Sequence, residues 1–150
     1  MLLHASSASR EADAVLFLGP PGSGKSDLVL RLLGQGWRLV ADDQVALTIA
    51  AGQLHGAPPP ALRGLLEMRG LGIFRDLPLG PLPAPLRLAV QLTDRSAIPR
   101  LPAPQGWACL GLSLPCVSLH AFDASAPAKV GWALDAVLGR AAQQAGAFAA

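Results

Sequence analysis

Apolar positions along the chain fall into two rhythms. Ala14-Val15-Leu16-Phe17-Leu18 is an unbroken apolar run, the pattern of a buried strand. Leu28/Leu32 and Val29/Leu33 then repeat at i,i+4, which predicts a helix from Ser26 or Asp27 to Leu33. Gly34 and Gly36 supply its stop. Leu39-Val40-Ala41 reads as the next strand and ends at Asp42-Asp43. Val45, Leu47 and Ile49 alternate with Gln44, Ala46 and Thr48, and Ala51-Gly52 leads into Gln53-Leu54-His55, so a β-hairpin is expected. Leu86 to Leu92 alternates in part, and Val117, Leu119 and Ala121 alternate with Ser118, His120 and Phe122 in a last strand. Val130, Leu134, Val137/Leu138 and Ala141 form the stripe of a terminal helix running from Pro127 to about Gly146, with Ser125 near its cap. At the start, Leu2 and Leu3 predict a short strand holding His4, followed by a Ser-rich loop through Ser9, Arg10 and Glu11.

Strand, helix and strand over 14–41 form a parallel βαβ unit, and the whole order predicts an α/β fold with a mixed sheet. The connection between the first of these strands and its helix carries chemistry. Gly19-Pro20-Pro21-Gly22-Ser23-Gly24-Lys25-Ser26 fits G-x-x-x-x-G-K-[ST], the phosphate-binding P-loop. Loop amides and the helix N-terminus surround a phosphate, and Lys25 adds a point charge. The hydroxyl of Ser26 is a ligand for Mg²⁺. Pro20 and Pro21 have no amide to offer, so cradling falls to the amides of Gly22, Ser23, Gly24, Lys25 and Ser26. Asp42 and Asp43 lie one helix further on, at the same carboxyl edge of the sheet, where α/β proteins bind ligands. If the strand continues through them, their side chains point to different sides. A plain turn is the competing reading for the pair.

Composition narrows the class. The 150 residues suit one domain, are 51% hydrophobic and only 15% charged, and carry a net charge of +2. That balance gives no strong pull toward nucleic acid or a membrane surface. Gly and Pro interrupt each apolar run well short of the ~18 residues of a membrane span, and the N-terminus lacks the pattern of a signal peptide. Cys109 and Cys116 have no metal-ligand spacing and read as reduced, buried thiols of a cytoplasmic protein. The 14 Pro cluster at 58–60, 78–85 and 99–104, which marks loops.

Leu65-Leu66-Glu67-Met68-Arg69-Gly70-Leu71-Gly72-Ile73 sets two charges in an apolar segment. Glu67 and Arg69 share a face if it is extended, and charges there are costly unless paired or liganded. Gly70 and Gly72 suggest a backbone lying close to something else, such as substrate.

Gly19–Ser26 with the leucine helix, then Gly36-Trp37-Arg38-Leu39-Val40-Ala41-Asp42-Asp43, then Glu67-Met68-Arg69-Gly70-Leu71-Gly72-Ile73 resemble, in order and spacing, the catalytic domain of bacterial HPr kinase/phosphorylase. The likeness covers most of residues 2 to 138. It implies a P-loop kinase core of the HPr kinase and PEP carboxykinase-like fold, with 1–150 as one catalytic domain and the long form's N-terminal domain absent. It departs from the family in a short, Pro-rich stretch between Gly72 and Leu86, in Ser96-Ala97 after Arg95, and in an abbreviated C-terminal region, as in short proteobacterial forms.

The resemblance further implies transfer of the γ-phosphoryl group of ATP to a serine of the phosphocarrier protein HPr of the phosphotransferase system, with reverse phosphorolysis as a possible second activity. On this reading Gly19 to Ser26 bind ATP, Ser26 and Glu67 hold Mg²⁺, and Asp43, or else Asp42, accepts the serine proton. His4 resembles the family's histidine near the transferred phosphate, and Arg69 and Arg95 are the arginines that stabilise its charge. From the residues alone His4 is an ordinary strand histidine. A homo-oligomer, hexameric in the family, and a cytoplasmic location are also implied. Two other classes compete: a small-molecule P-loop kinase of the shikimate or nucleotide type, and a non-catalytic nucleotide-binding regulator. The hairpin expected at 44–55 argues against the first, which has a helix there.

Overall fold

A computed structural model describes residues 1–149. The apolar run becomes β3 (Asp13–Leu18), the P-loop follows, and the amphipathic segment becomes α1 (Lys25–Leu33). In β3, Val15 and Phe17 face one hydrophobic cluster while Ala14, Leu16 and Leu18 face another. A strand covered on both faces needs no polar alternation, which is why it reads as continuous. Around it lie β1 (Leu2–His4), β2 (Ser6–Arg10), β4 (Arg38–Ala41), β5 (Gln44–Ala50), β6 (Gln53–Ala57), β9 (Ala84–Leu92), β10 (Gln105–Cys109) and β11 (Leu112–Leu119), with a small separate hairpin of β7 (Leu66–Met68) and β8 (Gly72–Phe74). The sheet runs β1-β5-β6-β9-β3-β2-β4, and β11, paired with β10, also adds to β9. Strands β3, β9 and β11 run parallel to one another, whereas every other pairing in the sheet, including β2 on β3, β6 on β9 and β10 on β11, is antiparallel. The mixed α/β sheet is therefore as expected.

The helices cover one face. Leu28, Val29 and Leu32 of α1 and Val130, Ala133 and Leu134 of α2 (Ala126–Val137) are buried with Phe17, Leu88 and Val90. Burying side chains of this kind contributes ~1.5–3 kcal/mol each. The β5–β6 and β10–β11 hairpins cover the other face, burying Val45, Leu47, Leu54, Cys109 and Leu114. The β5–β6 turn is tight: Ala51 and Gly52 both take positive φ, 53° and 72°, the twist that joins two antiparallel strands closely.

Four expectations are corrected. The Ser-rich stretch is a buried strand, β2, because its polar atoms are mostly met internally: Ser6 Oγ donates to Asp42 Oδ1 and Ser7 Oγ to the Val15 carbonyl, at 2.7 and 2.8 Å. The βαβ unit keeps its parallel sense, but β3 and β4 are not neighbours, since β2 runs antiparallel between them. The terminal helix ends at Val137 rather than near Gly146. Gly139 takes φ 75° there, and the Arg140 N–H caps the Asp135 carbonyl at 2.8 Å, closing the last turn. Finally, Glu67 and Arg69 do not share a strand face, since the chain turns after Met68, and both side chains are exposed.

Candidate active site

The P-loop joins the carboxyl end of β3 to α1. Its first half is a turn in which the Ser23 N–H donates to the Pro20 carbonyl at 3.1 Å. Ser23's amide is thus engaged within the loop, which corrects the expectation that it is available to a phosphate. Lys25 and Ser26 open the helix, where amides have no intrahelical acceptor. Gly24 precedes them at φ 96°, and a Cβ there would stand 2.8 Å from Ala121 Cβ. Only glycine fits that approach.

Lys25 is buried, and its Nζ donates to the carbonyls of Gly19 and Pro20 at 2.6 and 3.1 Å. Burial holds its ammonium below the ordinary lysine range, and the carboxylates of Asp42 and Asp43 oppose that shift. The same loop carbonyls therefore fix the cation at the mouth of the loop.

The acidic pair sits in a bend after β4. The Gln44 N–H bonds back to the Asp42 carbonyl at 2.8 Å, and Asp43 takes φ 69°. The turn reading is the observed one, and it still sends the two side chains apart. Asp42 is 6% exposed, and its Oδ1 accepts both Ser6 Oγ and Ser26 Oγ, each at 2.7 Å. Asp43 is exposed, and its Oδ1 lies 3.5 Å from His4 Nδ1. The register of β1 on β5, with His4 opposite Gln44, makes this approach.

These groups open into one cavity of about 470 Å³. Among the sequence-predicted residues, His4, Pro21, Gly22, Gly24, Lys25, Ser26, Asp43, Glu67 and Arg69 line it. Asp42 stands directly behind Ser26, and Gly19, Pro20 and Ser23 shape the loop. Glu67 and Arg69 reach the cavity from the β7–β8 hairpin, anchored by the buried Leu66. Arg95 does not line it. Its side chain is 70% exposed, and its guanidinium is bonded to the carboxylate of Asp123. That bond holds Asp123 below the ordinary carboxylate range.

Sequence reasoning missed Ser6, Asp27 and Phe122 as cavity residues. Ser6 had a readable signal: it stands two positions after His4. Phe122 had none, since it arrives through the turn after β11. Arg31 of α1 ties that turn to the P-loop helix by donating to the carbonyls of Ala121 and Asp123.

The cavity's oxygen donors are hard: the Ser26 hydroxyl and the carboxylates of Asp43 and Glu67 line it, with Asp42 bonded behind Ser26. Among the described residues no cluster of three or more His, Cys, Asp or Glu forms a metal cage. One hydroxyl with one or two carboxylates, completed by substrate phosphates, is how Mg²⁺ is usually held. The residues present fit that ion.

Fold and loop together define a P-loop domain of mixed α/β architecture. Residues 11–76 match the family model described as the HPr Serine kinase C-terminal domain. An HPr kinase/phosphorylase of Xanthomonas campestris pv. campestris (strain B100) is 53% identical over 66 residues, 42% of this chain and 21% of that protein. One from Stenotrophomonas maltophilia (strain K279a) is 47% identical over 75 residues, 49% of this chain and 24% of that protein. The chain's matched part thus spans under a quarter of these curated relatives. The solved Hpr(Ser) kinase/phosphatase from Coxiella burnetii superimposes with a TM-score of 0.74 at 26% identity, over 87% of this chain and 86% of that one. The chain is similar to HPr kinase/phosphorylase, in sequence through residues 11–76 and in fold through most of its length.

Proposed function

We propose that the chain is an ATP-dependent protein-serine kinase whose acceptor is HPr, acting as a single catalytic domain in the cytoplasm. The observation that carries this reading is the convergence of Lys25, Ser26, Asp43, His4 and Glu67 on one cavity. Phosphoryl transfer asks a protein mainly for positioning and charge stabilisation, and these are the tasks the side chains suit. The amides of Gly22, Gly24, Lys25 and Ser26 and the Lys25 ammonium receive the nucleotide's phosphates. Asp43 is open to the cavity and accepts the proton of the acceptor serine as its oxygen attacks phosphorus. His4 holds Asp43 toward that proton. Asp42 is enclosed and orients the Ser26 hydroxyl. Glu67 and Ser26 hold Mg²⁺, which when bound neutralises phosphate charge. Arg69 faces the transferring group, and Arg95 reaches it once it leaves Asp123. The reverse phosphorolysis and the family's oligomer belong to the same reading.

Incubation of purified chain with HPr and labelled ATP tests it. Label on an HPr serine, lost in K25A, supports the reading, and ATP hydrolysis with unlabelled HPr overturns it. One observation favours a nucleotide-binding regulator instead: Arg95 is engaged by Asp123, away from the cavity. ATP binding without any turnover is its signature.

A further inference from the structure

Ser6 lies on β2 with no exposed surface, next to Ser7, after which the β2–β4 register shifts. A shift of this kind re-aims side chains. Ser6 Oγ donates to Asp42 Oδ1 at 2.7 Å, and Ser26 Oγ donates to that same oxygen at 2.7 Å. Two hydroxyls on one carboxylate oxygen form a buried chain, Ser6–Asp42–Ser26, that ends at the cavity. A carboxylate in such a place holds its angle only if its other contacts are fixed, and Ser6 is the fixed contact. A hydroxyl that donates to Asp42 keeps its oxygen lone pairs for something else. Ser26 itself lines the cavity, so those lone pairs are free for a group bound there.

We propose that Ser6 is a positioning residue for divalent-cation binding at Ser26: it locks Asp42, and Asp42 holds the Ser26 hydroxyl so that its oxygen points to the cation. This rests on the reading of the cavity as a nucleotide–metal site but not on HPr as acceptor. Outer partners of metal-site residues commonly change affinity by ~10–100-fold when removed.

The test uses the full chain with Mn²⁺ as a spectroscopic probe and a non-hydrolysable ATP analogue, with Mn²⁺ affinity read by electron paramagnetic resonance. S6A is expected to weaken Mn²⁺ binding ~10–100-fold, and S6T, which keeps the hydroxyl, to restore most of it. S7A is the control, because Ser7 is equally buried on β2 but donates to the Val15 carbonyl. It is expected to leave Mn²⁺ affinity unchanged. A folded S6A that binds Mn²⁺ within twofold of the unaltered chain overturns the proposal, as does an equal loss in S7A. Should S6A not fold, S6C, similar in size with a poor donor, carries the same comparison. Failure of the unaltered chain to label HPr, with the Mn²⁺ pattern intact, sinks the acceptor assignment and leaves the role of Ser6 standing.

Discussion

His4 Nδ1 lies 3.5 Å from Asp43 Oδ1, although 39 positions separate them, because β1 lies antiparallel on β5. The backbone braces the pair, with the Ala5 N–H donating to the Asp43 carbonyl at 3.2 Å. On the proposed reading Asp43 is the base, and a carboxylate held this way does not swing freely from the cavity.

D43N is therefore expected to lower phosphoryl transfer to HPr by ~10²–10⁴-fold, the range for a lost general base. ATP binding, measured by calorimetry, should change little. H4Q should lower the transfer rate less, with the KM for ATP unaltered. Full activity in D43N, with loss in D42N, would move the base to Asp42.

Lys25 gives a pH signature. Its folded pKa lies below the unfolded value of 10.5 because of burial. Between those two values the unfolded chain binds more protons, so stability rises with pH across that window and the cost of the buried charge is present below it. K25M should remove that rise, as read from urea unfolding at a series of alkaline pH values. D42N or D43N should deepen the depression of the Lys25 pKa, since each removes a carboxylate that supports the ammonium.

Gly24→Ala places a Cβ 2.8 Å from Ala121 Cβ and forces an L side chain to φ 96°. The strain is ~1–3 kcal/mol. Chemical denaturation should show the loss, and nucleotide affinity should fall with it because Lys25 and Ser26 follow directly. G22A, at φ 81° with open space around the added carbon, should carry backbone strain without the clash.

The Arg95–Asp123 pair predicts an acid-side effect. Asp123 is depressed in the folded chain chiefly by hydrogen bonds from Arg95. Its contribution is present above the ordinary carboxylate pKa of ~3.9 and is lost as pH falls through the folded value. R95Q should return Asp123 toward the ordinary range by carboxyl NMR and flatten the acid-side loss. Arg95 is largely exposed, so the change in stability should be small and salt-sensitive.

Much of this architecture was readable from the residues, for reasons that particular elements make plain. Val15 and Phe17 against Leu16 and Leu18 need no alternation, so β3 appeared as a run. Leu28 and Leu32 of α1 share a face, so the helix appeared as a stripe. The Gly19–Ser26 loop was legible because its spacing is a geometric requirement. What stayed hidden depended on long-range contact. The serines of β2 look like loop residues until Asp42 and the Val15 carbonyl satisfy them. Leu86 and Leu88 alternate in sequence yet lie in different clusters, because a register shift beside Arg87 turns the strand over. Arg87 itself is met by Asp13 and Gln53 at 2.9 and 3.1 Å, from two other strands. Strand β10 follows a Pro-rich loop and carries Gly106, so it showed no strand pattern before β11 paired with it. Arg95 was reached through likeness alone, and nothing in its own neighbourhood foretold its bond to Asp123.

The reversed strand between β3 and β4 has a geometric consequence. Two inter-strand steps set the ends of those strands ~9–10 Å apart, a gap that Ser26 and Asp42 bridge at 2.7 Å while Asp43 turns to the open side. The strand that sets the width is also the one that brings Ser6 in from the acidic side, with His4 just ahead of it. Seven residues from His4 to Arg10 thus act as both the ruler and the furnishing of the gap, and a one-residue deletion among them would alter its span and its chemistry together.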